Sequence, residues 1–115
     1  MRRAIRAGLV ALAGGALLGV ALVTTPGVAA ADAAKTHQVA IQALAYVPET
    51  LTVRPGDVVV WTNKDPFPHT VTAAGAFDSG PIAPGKSWRF TARKAATYSY
   101  LCTLHTTMKG TLRVE

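Results

Sequence analysis

The stretch Tyr98-Ser-Tyr-Leu-Cys-Thr-Leu-His-Thr-Thr-Met-Lys-Gly-Thr-Leu-Arg-Val114 decides how this chain folds. Its first half alternates: Tyr98, Tyr100 and Cys102 share one parity, Ser99 and Leu101 the other, as in a strand with one buried face. Cys102 therefore comes at the inner end of a strand, where the chain leaves the sheet. Beyond it Cys102, His105 and Met108 are evenly spaced by three. A thiolate, an imidazole and a thioether on one short loop are ligands of graded softness, a mixture that suits copper in both its oxidation states. The loop lacks a second imidazole.

The pattern of short strands extends upstream. From Lys35 onward no segment keeps a helical period, and short runs rich in Val, Thr and aromatic residues recur between turns. Strands are expected near His37–Ala45, Thr50–Arg54, Asp57–Thr62, His69–Ala73, Lys86–Thr91, Thr97–Cys102 and Gly110–Glu115. Pro55-Gly56, Pro66 to Pro68, Gly80-Pro81 and Pro84-Gly85 supply the turns. Seven to eight strands without a helix predict an all-β, Greek-key β-sandwich. Trp88 and Phe90 alternate with Arg89, and Leu51 and Val53 with Thr52, so these large side chains are expected to fill much of the core.

The N-terminus has a different character. Arg2, Arg3 and Arg6 precede an uncharged apolar run from Ala7 to Val23, and small residues follow at Val28-Ala-Ala-Ala-Asp-Ala-Ala34. This is the plan of a secretory signal, cleaved after Ala30, Ala31 or Ala33. Residues 1–30 are therefore expected to be a signal peptide, 31–36 a flexible tail and 37–115 the folded domain. The competing reading is an uncleaved anchor, since the apolar run approaches the length that spans a bilayer. In either case the domain is expected outside the cytoplasm, in the periplasm, the cell envelope or the medium.

Charge and cysteine usage narrow the function. The formal net charge of +6 includes the three signal arginines; without them nine basic residues face six acidic ones, leaving +3. The bases are scattered, so a nucleic-acid partner is not expected. A small exported domain would usually carry disulfides, yet there is one Cys, which cannot pair within the chain. Taken alone, Cys102 reads as a core thiol or an intermolecular bridge, and Met108 as a gap-filler. Against this, they are the only Cys and the only Met beyond the signal, and both share the loop with His105. Of the other histidines, His37 lies among small and polar neighbours and is expected to be exposed and inert. His69 follows Pro66-Phe-Pro68, whose prolines limit the loop's freedom and so set the direction of the imidazole.

With these residues in view, the chain resembles the small blue (type 1) copper proteins, the cupredoxins, especially their amicyanin-like and plastocyanin-like members. The resemblance runs through Tyr46-Val-Pro-Glu-Thr-Leu-Thr-Val-Arg-Pro-Gly-Asp-Val58, Trp61-Thr-Asn-Lys-Asp-Pro-Phe-Pro-His-Thr-Val71, Phe77-Asp-Ser-Gly80, Ile82-Ala-Pro-Gly85 and the Tyr98 to Val114 block. It implies one copper per chain, held by His69, Cys102, His105 and a weak axial Met108. It also implies a non-enzymatic one-electron carrier, monomeric, exchanging electrons with donor and acceptor proteins that dock near His105. Phe67, Pro66, Pro68, Leu104 and Thr106 would ring that imidazole, with Lys64 and Lys109 close by. The alternatives are a copper carrier or storage protein using the same ligands, and an extracellular interaction module without metal. Around the ligands, the Thr70 N–H is expected to reach the Cys102 sulfur, with Thr103 and Asn63 tying the ligand loops together. Thr70 and Leu104 depart from relatives in which Asn commonly follows the upstream His and Pro often precedes the downstream one.

Overall fold

The computed structural model describes residue 8, residues 11–24 and residues 33–115. The chain divides into two units, Met1–Ala30 and Ala31–Glu115. In the first, the described residues are exposed and form neither helix nor strand. Arg2, Arg3 and Arg6 of the expected signal, and the cleavage region at Ala30–Ala31, lie outside the described residues. Among those described, no helix is long and apolar enough to cross a membrane.

The second unit is all-β. Its strands are β1 (Thr36–Gln42), β2 (Ala45–Val47), β3 (Thr50–Val53), β4 (Val58–Asn63), β5 (Thr72–Ala73), β6 (Phe77–Asp78), β7 (Ser87–Thr91), β8 (Ala96–Cys102) and β9 (His105–Val114). They form two sheets, one ordered β2-β1-β4-β7 and the other β3-β9-β8-β5-β6. Two pairings are parallel, β1 with β4 and β3 with β9. In the first, Thr36 stands opposite Val58 and Ile41 opposite Asn63. The starts of β1 and β4 thus lie together at one end of the sandwich, and their ends lie together at the other.

Four elements differ from expectation: the short β6, paired with β5, was not expected as a strand, and three others differ in extent. The expected strand His37–Ala45 is broken at Ala43 and Leu44, both left-handed (φ 52° and 60°), and the chain reverses into β2, antiparallel to β1. The strand expected at His69–Ala73 shrinks to Thr72–Ala73, and His69 makes only an isolated bridge with Ile82. β9 starts at His105 and not at Gly110, because the chain turns back within Thr103 and Leu104. A register break follows: Leu101 pairs with Lys109, but Cys102 pairs with His105. The intervening Thr106, Thr107 and Met108 are extra residues on β9, and this irregularity bends the strand around the end of β8.

The core lies between the sheets. Val39, Ile41, Val59 and Trp61 face it from one sheet, and Tyr100, Cys102, Leu112 and Val114 from the other. Burying each large apolar side chain contributes roughly 1.5–3 kcal/mol. Trp88 and Phe90 are only half buried and pack against this core from the edge strand β7. Gly110 stands opposite Tyr100, and any Cβ there would run into the phenol ring. The missing side chain makes room for Tyr100 to lie across β9.

Candidate metal centre

At the end of β4 the backbone must turn through the proline-containing loop, and buried Asn63 organises that turn. Its amide donates to the carbonyls of Phe67 (2.8 Å) and Ile82 (2.9 Å), and its oxygen accepts the Asp65 N–H (2.9 Å). Backbone bonds between His69 and Ile82 fix the far side of the loop (3.2 and 2.7 Å). His69 is thereby delivered into the interior with no exposed surface.

A buried imidazole needs a partner for each nitrogen. Nε2 lies 2.8 Å from Oδ2 of Asp65. Asp65 is itself buried and accepts the N–H groups of Ala43 (2.7 Å) and Leu44 (3.0 Å). The left-handed pair at the β1–β2 turn points both donors the same way. Burial opposes the charged carboxylate, but Leu44, His69 and Ala43 together outweigh it and hold the carboxyl below its ordinary value. An anionic Asp65 places the proton on Nε2 and leaves the Nδ1 lone pair free. Nδ1 faces the Cys102 sulfur at 3.6 Å.

The second loop completes the group. Cys102 is fully buried and His105 half buried, and Nδ1 of His105 lies 4.0 Å from the sulfur. Donor atoms of His69, Cys102 and His105 all fall within 4.8 Å of one another. The Thr70 N–H donates to the sulfur at 3.3 Å. The Thr70 hydroxyl accepts the Thr103 N–H (2.9 Å) and meets the Thr103 hydroxyl (3.2 Å), so Thr70 itself joins the two loops. The expected tie through Asn63 is different: its side chain braces the His69 loop against Ile82 and does not reach the Cys102 loop. Met108 is buried on β9, inside the register irregularity.

These residues suit a small thiophilic ion. One ion bound through nitrogen and sulfur at about 2.0–2.3 Å in a trigonal plane would separate the donors by about 3.8 Å. The two sulfur–nitrogen spacings, 3.6 and 4.0 Å, bracket that value. Among the described residues this is the one cluster of three or more His, Cys, Asp or Glu able to hold a metal ion. Tyr46 closes the floor, its hydroxyl donating to the Thr70 carbonyl at 2.5 Å. Burial, and then the charge of Cys102, push its phenol well above the ordinary range.

An apolar ring covers the two imidazoles. Phe67 packs against both imidazoles, with centroids 5.1 Å from His69 and 5.4 Å from His105. Phe67, Leu104 and Leu44 are 37%, 51% and 49% exposed, more open than their hydrophobicity would favour.

Sequence reading did not single out Asp65. Its one signal is an acidic residue four positions before His69, and its meaning depends on donors more than twenty residues upstream. His37 was expected to be exposed and inert; its side chain is only 24% exposed, and Nε2 lies 2.9 Å from Asp57.

Comparison with known proteins follows the same lines. Residues 15–114 match the cupredoxin-like domain. Amicyanin of Paracoccus versutus is 32% identical over 95 residues, covering 76% of this chain and 72% of that protein. Plastocyanin of Scenedesmus fuscus is 31% identical over 91 residues, covering 64% of this chain and 89% of that protein. An oxidised proline-to-alanine variant of amicyanin superposes with a TM-score of 0.67 at 29% identity, covering 70% of this chain and 82% of that one. With this agreement in sequence and fold, and with a buried cluster of two imidazoles and a thiol, the chain belongs to the cupredoxin-like family.

Proposed function

We propose that the chain is a type 1 copper protein, binding one copper ion through His69, Cys102 and His105 with Met108 as a weak axial ligand, and serving as a one-electron carrier. The observation that carries this reading is the buried Cys102 sulfur, faced by two Nδ1 atoms and held by the Thr70 N–H. Copper would supply the redox chemistry; the protein's part is to hold its ligands so that little moves when the charge changes. Asp65, Asn63 and Thr70 do this holding, and Tyr46 and Met108 keep the interior dry. The likeness to amicyanin and plastocyanin supports a carrier over an oxidase or reductase.

Electrons would leave through the half-buried His105, past the exposed Phe67 that packs on it and the neighbouring exposed Leu104. An apolar patch of this kind suits brief contacts with redox partners, at the small end of interface sizes. We further propose that residues 1–30 direct export and are removed, leaving the 37–115 domain in the periplasm or cell envelope as a monomer. Copper loading tests the site: the loaded protein is expected to show intense blue absorption, and Cys102→Ser to abolish it. Blue absorption that survives Cys102→Ser contradicts the assignment. Reversible voltammetry together with retention of Cu(I) against a competing chelator separates a carrier of electrons from a carrier of copper.

A further inference from the structure

The core contains a row of aromatic rings that the proposed function does not use. Trp61 and Trp88 are the chain's two tryptophans, directly opposite each other on β4 and β7, with ring centroids 5.6 Å apart. Trp88 is half buried at the edge of the sandwich and Trp61 is fully buried. The Trp61 indole meets Tyr100 edge-on at 5.6 Å and donates its N–H to the phenol oxygen at 3.3 Å. Tyr100 in turn meets Tyr46 edge-on at 4.8 Å. Tyr46 donates to the Thr70 carbonyl, and the Thr70 N–H donates to the Cys102 sulfur. Every step from the sulfur to the edge of the protein is thus a ring contact, a hydrogen bond or a covalent link.

We propose that this row is an escape route for oxidising equivalents, along which an electron hole made on Trp88 passes inward to the Cys102 sulfur, where bound copper would supply the electron. The inference rests on the copper reading above. An external one-electron oxidant, an inorganic radical, takes one electron from the Trp88 indole and is itself reduced by one. Trp61 refills Trp88, and the hole on Trp61 passes toward the Cys102 sulfur, where bound Cu(I) would supply the electron. No heavy-atom bond breaks, and a proton shed from the Trp88 indole to solvent is regained when the hole is refilled, so the net change would be one-electron oxidation of the centre and one-electron reduction of the radical. The two residue types have different parts. An indole can lose an electron before it loses its proton, so the tryptophans hold the hole. A phenol must shed its proton as it is oxidised, and Tyr46 donates only to a carbonyl, which is no base. The tyrosines therefore bridge the gap and do not hold the hole.

The test is pulse radiolysis of the full copper-loaded, reduced protein with azide radical as oxidant. The indolyl radical absorption is expected to decay at a rate independent of protein concentration while the blue absorption rises in step. Trp61→Phe should lose the coupled rise while a radical still forms on Trp88. A coupled rise unchanged by Trp61→Phe, or an indolyl radical that decays only by encounter with another, overturns the route. A second measurement needs no mutation: under steady radical exposure, mass spectrometry should find less oxidised Trp88 in the Cu(I) protein than in the protein loaded with redox-inert Zn²⁺. Equal damage in the two also overturns it. Failure of the copper reading shows separately and earlier, as a loaded protein with no blue absorption, and removes this inference with it.

Discussion

The two ends of β4 carry the same arrangement and put it to different use. At the start, Asp57 accepts the N–H groups of Lys35 (2.9 Å) and Arg54 (3.1 Å) and faces Nε2 of His37 at 2.9 Å. At the end, Asp65 accepts two N–H groups from the β1–β2 turn and faces Nε2 of His69 at 2.8 Å. In both, a carboxylate just outside β4 clasps a terminus of the parallel neighbour β1. The difference lies in the imidazole's other side. His37 is partly open to solvent, whereas His69 is enclosed and turns Nδ1 toward a thiol from the opposite sheet. A hydrogen-bonded His–Asp pair becomes a metal-site component only when the fold supplies a further donor on its free nitrogen.

Removing each carboxylate should break this comparison most sharply. Asp65→Ala leaves the buried His69 Nε2–H without its partner, at about 1–3 kcal/mol for that unsatisfied group, and removes the acceptor of two N–H groups at the exposed Ala43–Leu44 turn. Copper affinity should fall roughly 10–100-fold, as for other residues that orient a ligand. Asp57→Ala should lower the melting temperature while leaving the affinity and absorption spectrum unchanged. Competitive titration with a copper chelator measures the first, and thermal unfolding of both variants measures the second. Equal copper affinities would erase the distinction between the two ends.

A milder change separates charge from geometry. Asp65→Asn can still accept from Nε2–H but removes the negative charge that makes the imidazole a stronger donor to the oxidised ion. The reduction potential should rise, read by redox titration, while the blue absorption persists. An unchanged potential would leave Asp65 with a purely steric part.

The turn that holds Asp65 offers a smaller effect. Ala43 and Leu44 occupy left-handed backbone at a cost of roughly 1–2 kcal/mol each. Ala43→Gly relieves one of these costs but frees the unfolded chain by roughly 0.5–1 kcal/mol. A gain of at most about 1.5 kcal/mol in chemical denaturation is expected, with the copper spectrum intact.

The far pair is sharpened by acid. Asp57 titrates at about 2 in the folded protein against 3.8 ordinarily, through the Lys35 N–H first, then His37 and the Arg54 N–H. A lowered folded value means that its contribution is fully present above 3.8 and is lost as pH falls through about 2. Unfolding measured across that window should show a slope that Asp57→Asn reduces.

Much of the fold was legible because its signals are local. Short runs rich in Val, Thr and aromatic residues between turns located β4, β7 and β8 to within a residue or two, since a strand's composition is carried by its own residues. Local signals failed where the decision lay elsewhere. The run His37–Ala45 reads as one strand, yet it folds back at Ala43 and Leu44, whose left-handed geometry is accompanied by bonds to the distant Asp65. Trp88 and Phe90 read as core, but β7 is an edge strand and leaves them half exposed.

The candidate site divides in the same way. Residue chemistry and spacing by themselves determined that Cys102, His105 and Met108 lie close along the chain and that His69 follows a stiffened turn, because residue type and chain stiffness are properties of single residues and their neighbours; the shared loop expected for the three is instead the junction of β8 and β9. Only the tertiary structure decided that Cys102 pairs with His105 across a register break, that Thr70 takes over the joining of the loops, and that Asp65 and not Asp57 serves the metal-facing imidazole. Each of these depends on which backbone N–H meets which acceptor across a sheet or between sheets. Those meetings are set by strand order and parallel register, which the spacing of residues along the chain does not encode.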